Sequence, residues 1–226
     1  IKGYPNALKL VERANAFKTE AFKMGWFEVQ DASSQLVADF LEVAPGMKVV
    51  DVCAGAGGKT LHLSALMQNK GSLIAMDIYE SKLKKLKVRA KRNGAHNIDL
   101  RLINSTKPIK KLKEKADRLL IDAPCSGLGV LRRNPDSKWK LKPEFLDNIK
   151  ATQQNILQDY SKILKPGGKM VYATCSVLPS ENQEQIAKFI ASEEGRQFKL
   201  IKEKKIFAHK SGYDGFYMAL LEKPIQ

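Results

Sequence analysis

Lys48-Val49-Val50-Asp51-Val52-Cys53-Ala54-Gly55-Ala56-Gly57-Gly58-Lys59-Thr60 is the stretch that decides the fold. Lys48–Cys53 is a short apolar strand, and it runs into a glycine-rich turn followed by a helical pattern through His62–Met67. Glycines between a first strand and a first helix let the backbone turn sharply and approach a nucleotide closely. Two phosphate-binding spacings fail here. GxxxxGK[ST] needs a glycine where Cys53 stands, and GxGxxG is absent.

Working outward, the strand–helix alternation repeats. Ser72–Met76 reads as a second strand closing on Asp77, and the lysine-rich stretch from about Ser81 to Asn93 as a helix. Leu100–Ile103 reads as a third strand and Arg118–Ile121 as a fourth, ending at Asp122. A long helix carries Phe145, Ile149, Ile156, Tyr160 and Ile163 at near-helical spacing, and Pro166-Gly167-Gly168 is expected to stop it. Lys169–Ala173 is a fifth strand, Glu181–Ala191 a helix and Phe216–Leu221 the last strand. Upstream, Asp31 is the expected N-cap of a helix with Leu36, Val37, Phe40 and Leu41 on one face. The pattern predicts an α/β fold with a mostly parallel, doubly wound sheet. Residues 31–226 form the main domain, and residues 1–30 an extension packed on it.

The chain has 226 residues, enough for one large domain, and a net charge of +15. Such a charge fits a polyanionic partner, nucleic acid first, although well-solvated lysine faces would produce it as well. No apolar run approaches the ~20 residues of a membrane span. The three cysteines, Cys53, Cys125 and Cys175, are too sparse for a disulfide framework and point to a reducing compartment, the cytoplasm. No CxxC or CxxH spacing occurs, so no metal site is expected.

Asp77 lies 20 residues after Gly57, where an acidic side chain can accept hydrogen bonds from both hydroxyls of a ribose. A nucleoside cofactor without phosphate, such as S-adenosylmethionine, suits this loop. The plainer reading makes Asp51 and Asp77 ordinary strand-end residues. Asp122-Ala123-Pro124-Cys125-Ser126 and Ala173-Thr174-Cys175-Ser176 sit at the carboxyl ends of strands four and five, where α/β sheets bind ligands. A buried cysteine is often only a small hydrophobe, which suffices for Cys53. It explains poorly two cysteines at one rim, each among small polar residues.

These motifs, DVCAGAGGKT, IDAPCSGLGVLRRNPDSKW and YATCSVLPSEN, resemble those of the RNA (cytosine-5)-methyltransferase family, the bacterial Sun (Fmu) proteins and their nucleolar relatives. Val29–Gln35 resembles the family's VQDxxS entry motif, and Asp214-Gly215-Phe216-Tyr217 its closing strand. The resemblance runs from about Gly25 onward. It implies a Rossmann-like S-adenosylmethionine-dependent methyltransferase fold whose final strand is antiparallel. It also implies roles: Cys175 as nucleophile towards cytosine C6, Cys125 as the residue that assists release, and Asp122 beside the base. Cys53, Ala54, Gly55, Ala56, Gly57, Gly58, Lys59, Asp77, Asn104 and Asp122 become the cofactor contacts. Gly55-Ala56 stands where the family usually has Ala-Pro, and Asn104 where it tends to have Asp.

The RRNPDSKW stretch is most similar to members that modify small-subunit ribosomal RNA, which makes that RNA the expected partner of a monomeric enzyme. A transfer-RNA cytosine-5 methyltransferase is the alternative, as is a non-catalytic RNA-binding scaffold, though a scaffold needs neither cysteine. The family usually carries an RNA-binding domain upstream, to which residues 1–30 would be the link or remnant. Arg132, Arg133 and Lys138, beside the active-site loop, are the expected RNA contacts.

Overall fold

Five parallel strands and two later ones form a single sheet in the computed structural model, which describes residues 1–12 and 14–225. In chain order the elements are α1 (Glu20–Lys23), α2 (Ala32–Phe40), β1 (Lys48–Asp51), α3 (Gly58–Leu66), β2 (Ser72–Asp77), α4 (Glu80–Arg92), β3 (Ile98–Leu102) and α5 (Lys107–Lys110). They continue with β4 (Ala116–Asp122), α6 (Ser137–Lys140), α7 (Pro143–Tyr160), β5 (Leu164–Thr174), α8 (Gln183–Ile190), β6 (Lys199–Ile206), α9 (Ala208–Ser211) and β7 (Phe216–Glu222). The sheet order is β3-β2-β1-β4-β5-β7-β6, and β7 is antiparallel to both of its neighbours. The chain therefore changes direction across the sheet between β1 and β4, and a crevice opens outside the carboxyl ends of those strands.

Alternate residues of the central strands bury opposite faces, so the strands read as continuous apolar runs. Val50, Ile74, Leu119, Ile121 and Tyr172 pack on one side with Leu157 of α7 and Ile186 and Phe189 of α8. Val49, Leu73, Leu120 and Val171 pack on the other with Val37 of α2 and Leu63 of α3. Leu83, Leu86 and Ala90 bring α4 against Leu61 and Ala75. Asp31 caps α2 as expected, its Oδ1 accepting the Ser33 N–H at 2.9 Å. Ahead of it, the Glu28 carboxylate accepts from Arg89, Arg92 and Asn93 at the end of α4, and Asn6 bonds to Asp39 and His62.

The structure corrects the sequence reading in several places. Helix α7 ends at Tyr160 rather than at Pro166-Gly167-Gly168, and those three residues lie inside β5. Cross-strand bonds outweigh their turn chemistry: Gly167 N–H donates to Lys223 O at 2.6 Å, and Lys223 N–H to Gly168 O at 3.0 Å. Glu181 ends a 3₁₀ turn, Pro179–Glu181, and α8 begins only at Gln183. Helix α3 starts within the glycine loop, at Gly58. A strand absent from the sequence reading, β6, forms the sheet edge. Every residue of it except Ile206 is exposed, so it carries no apolar alternation, and its lysines guard an open edge. Strand β7 is consequently internal, which is why Phe216–Leu221 is wholly buried.

Gly57 closes the glycine loop as the N-cap of α3 with φ of 91°. A Cβ there would lie 2.0 Å from Leu86 Cδ1. Gly57→Ala is therefore expected to destabilise the domain by on the order of 2 kcal/mol or more in urea melts, through left-handed strain plus overpacking on α4. Gly55→Ala, also left-handed but facing open space, should cost distinctly less. Equal losses would show that contact with α4 does not constrain the loop.

Candidate active site

The loop after β1 and the ends of β2, β4 and β5 come together at the carboxyl edge of the sheet. Buried Asp77 ends β2, and both its oxygens hold backbone: Gly55 N–H donates to Oδ2 and Tyr79 N–H to Oδ1, each at 2.8 Å. Arg89 of α4 reaches across to Ala56 O at 2.6 Å. The turn is thus fixed from two sides while its inner surface stays open, since a Cβ on Gly55 would meet nothing within 4 Å. Ile78, next to Asp77, is 59% exposed, and Asn104 is exposed just past β3. Cys53 is held as a thiol. Burial pushes it up, and Asp51, Asp122 and Asp77 add to the shift.

Strands β4 and β5 pair in parallel with Asp122 opposite Ala173, so the turns that leave them run side by side. This brings Cys125 Sγ and Cys175 Sγ to 3.4 Å. The two thiols are pushed in opposite directions. Cys175 is lowered, first by the hydrogen bond from Cys125 and with help from Lys59, against burial and Asp122. Cys125 is raised well above the ordinary thiol value by that same bond and by burial. The contact favours the proton on Cys125 and the thiolate form on Cys175.

Asp122, at the end of β4, pairs with Lys59 Nζ at 2.7 Å, and that ammonium sits 5.1 Å from the Phe216 ring centroid. Burial works against the Lys59 charge, yet the charge and hydrogen bond of Asp122, then Cys175 and Asp51, hold it above the usual lysine value. Behind the thiols lies a residue to which the sequence reading gave no role, the fully buried Glu181. Its carboxylate accepts from Ser126 and Ser176, the residues following each cysteine, and from Gln153. The one sequence signal was an acid closely following the Thr174-Cys175-Ser176 turn.

The expected RNA loop is anchored tightly. Gly129 N–H donates to Cys175 O and Gly215 N–H to Gly129 O, both at 2.8 Å, and a Cβ on Gly129 would lie 2.1 Å from Gly215 O. Arg132 donates to Gly212 O, and Arg133 to the buried Asp214 at 2.6 and 2.8 Å. Both arginines therefore tie the loop to the protein, with Arg133 still half exposed. Lys138 is exposed, its ammonium 4.7 Å from the ring of exposed Trp139.

The sequence profile described as 16S rRNA methyltransferase RsmB/F matches residues 38–222. The chain belongs to that family. It is similar to a probable ribosomal RNA small subunit methyltransferase B of Synechocystis sp., 36% identical over 237 residues, covering 98% of this chain and 53% of the relative. It is 37% identical over 228 residues to ribosomal RNA small subunit methyltransferase B of Yersinia enterocolitica, covering 97% and 52%. The crystal structure of NSun6 from Pyrococcus horikoshii with SFG matches with a TM-score of 0.84 and 28% identity, covering 95% of this chain and 57% of that one. The chain spans about half the length of the curated relatives it matches. Membership in the RsmB/F family bears out the motif resemblance and the methyltransferase fold. No helix among the described residues is long and apolar enough to cross a membrane, and no cluster of His, Cys, Asp and Glu among them could hold a metal ion.

Burial pushes Asp51, beneath the glycine loop, up to about 7, against its 2.7 Å bond from Thr60 Oγ1. Unfolded, the same carboxyl titrates near the ordinary value of about 3.9. Between those values the folded state keeps the proton and the unfolded state loses it, so stability falls as pH rises, by up to about 1.4 kcal/mol per unit. Asp51→Asn is expected to flatten that slope in urea melts run between about pH 5 and pH 7. A slope equal to that of the unaltered chain would mean that Asp51 is ionised throughout.

Proposed function

We propose that the chain transfers a methyl group from S-adenosylmethionine to C5 of a cytosine in RNA, small-subunit ribosomal RNA first, through a covalent bond from Cys175 to C6. The observation that carries this reading is the pair of thiols 3.4 Å apart with opposite proton preferences at the crevice rim. A lone thiol serves many chemistries. Two thiols that divide one proton serve an attack followed by an elimination.

The crevice fits the cofactor. A buried carboxylate stands beside a loop of small residues open on its inner side, which suits a ribose diol. Exposed Ile78 offers an apolar face to adenine, and Asn104 an amide to its edge. Bound there, the cofactor supplies an electrophilic sulfonium methyl. Its fit is supported by the structural relative crystallised with SFG, an S-adenosylmethionine analogue.

The rest is the chain's own work. Cytosine C5 is a poor nucleophile. Addition of the Cys175 thiolate to C6 breaks the ring's conjugation and moves electron density onto C5 and N3. Asp122 stands beside the base, and the Lys59 ammonium, 2.7 Å from Asp122, offsets the negative charge that develops at N3 without giving up its proton. After addition Cys175 carries no charge, so the main cause that raised Cys125 disappears. Cys125 can then lose its proton to water and take the one on C5. The C6–S bond breaks, the thiolate returns to Cys175, and one proton is released per methyl transferred.

The RNA would pass over the loop from Arg132 to Lys140, where Lys138 and Trp139 face outward beside the free side of Arg133. Stacking on an exposed aromatic flanked by cations is a common way to hold an unpaired strand. Both thiols must stay reduced, a requirement that a cytoplasmic setting meets.

Two variants test the division of labour on labelled RNA. Cys175→Ala is expected to abolish methyl transfer while cofactor binding by calorimetry persists. Cys125→Ala should accumulate a covalent protein–RNA band on denaturing gels, because elimination stalls after attack, and the band should vanish in the double variant. Turnover by Cys175→Ala, or no band with Cys125→Ala, would refute the assignment.

A further inference from the structure

Glu181 takes no part in the chemistry above, yet its carboxylate joins the two turns that carry it. Oε1 accepts the Ser126 N–H at 2.8 Å and Gln153 Nε2 at 3.1 Å. Oε2 accepts the Ser126 hydroxyl at 2.5 Å and the Ser176 hydroxyl. The two serine hydroxyls lie 3.1 Å apart, and each serine directly follows one of the thiols. Gln153 also donates to Pro124 O at 2.9 Å, immediately before Cys125. On the other side, Asn182 donates to Ser176 O at 3.0 Å and accepts from Thr174 Oγ1 at 2.5 Å, bracketing Cys175. Both cysteine turns thus end on one side chain.

Packing alone does not ask for a carboxylate here. Removing one from water costs several kcal/mol unless donors saturate it. A glutamine of the same shape would present an amide N–H₂ where this site supplies donors. As the site stands both branches accept, Oε1 from the Ser126 N–H and the Gln153 amide and Oε2 from the two hydroxyls. The charge is also placed unevenly. Cys125 is raised by its bond to Cys175 and by burial, and the Glu181 charge adds to both. Cys175 faces Lys59 instead, and Lys59 favours its thiolate.

We propose that Glu181 is the positioning residue of the thiol pair: it clamps both turns at a fixed sulfur–sulfur separation and reinforces Cys125 as the sulfur that carries the proton. The proposal rests on the reading of Cys175 as nucleophile, but its first readout, the alkylation of the two thiols, does not use RNA. A structural acid would hold the turns and leave the proton's place to the sulfurs. A positioning acid shifts the balance of ionisation between the thiols when its charge is removed.

The experiment is alkylation by iodoacetamide across pH, with Cys125 and Cys175 followed separately by peptide mass spectrometry. In the unaltered chain Cys175 should react faster than Cys125 at every pH up to about 8.5, the ordinary thiol value. Glu181→Gln should move the Cys125 profile to lower pH and reduce the Cys175/Cys125 rate ratio about threefold, roughly half a pH unit. Ser126→Ala keeps the charge and removes one tie. It should leave both profiles in place while lowering kcat for methylation without raising KM for S-adenosylmethionine. Unchanged profiles in a folded Glu181→Gln variant would overturn the reinforcement of Cys125, even if its methylation were lost. If Glu181→Gln does not fold, Ser126→Ala and Ser176→Ala decide, and unaltered kcat in both would overturn the clamp. A shifted Cys125 profile together with full turnover by Cys175→Ala would leave Glu181 its role and remove only the nucleophile reading.

Discussion

The parallel pairing of β4 with β5 places Asp122 opposite Ala173, and three residues on in one chain segment and two in the other the turns present sulfur to sulfur at 3.4 Å. Everything chemical in the site hangs on that contact. At this separation the two thiols cannot titrate independently, because a thiolate on one is stabilised by the proton on the other. The core layers on both faces of the sheet hold the register, and the buried acid behind the turns holds their ends. A slip of one residue in β5 would turn Cys175 to the other face of the sheet.

Around the sulfurs the charges follow a consistent plan. Asp51, Asp77 and Asp122 end three adjacent parallel strands, and one largely buried ammonium, Lys59, pairs with Asp122 from the first turn of α3. Each acid has a different task because each has a different neighbour. Asp77 is occupied by backbone N–H groups and shapes the loop, Asp122 is paired with Lys59 and faces the thiols, and Asp51 lies sealed beneath them, its carboxyl pushed up to about 7 by burial. Lys59, which follows the glycine loop, couples through Asp122 and Cys175 to the thiol pair, so loop and thiols share one electrostatic unit.

Much of this was legible in the chain. The β1 strand, its glycine loop and the acid at the end of β2 declare themselves because parallel strands buried on both faces are short, apolar and followed by turn residues. The two cysteines were readable because each sits one turn beyond an apolar run. What escaped notice did so for physical reasons. Strand β6 is an exposed lysine-rich edge and has no alternation to detect. Pro166-Gly167-Gly168 looked like a stop, and only pairing with the distant Lys223 makes it strand. Arg132 and Arg133 read in sequence as RNA contacts, and their ties to Gly212 and Asp214, some eighty residues downstream, appear only in the fold. Glu181 is ordinary in sequence and acquires meaning only when the two serine turns converge on it.

The most direct test of the central claim uses RNA carrying 5-fluorocytidine at the target position. Fluorine in place of the C5 hydrogen leaves attack and methyl transfer possible and denies the final base a proton to remove. The enzyme should stop as a stable covalent complex. Digestion and mass spectrometry are predicted to find the methylated fluoropyrimidine on the peptide that contains Cys175, with Cys125 unmodified. Attachment at Cys125, or quantitative recovery of free enzyme and RNA after turnover conditions, would contradict the account.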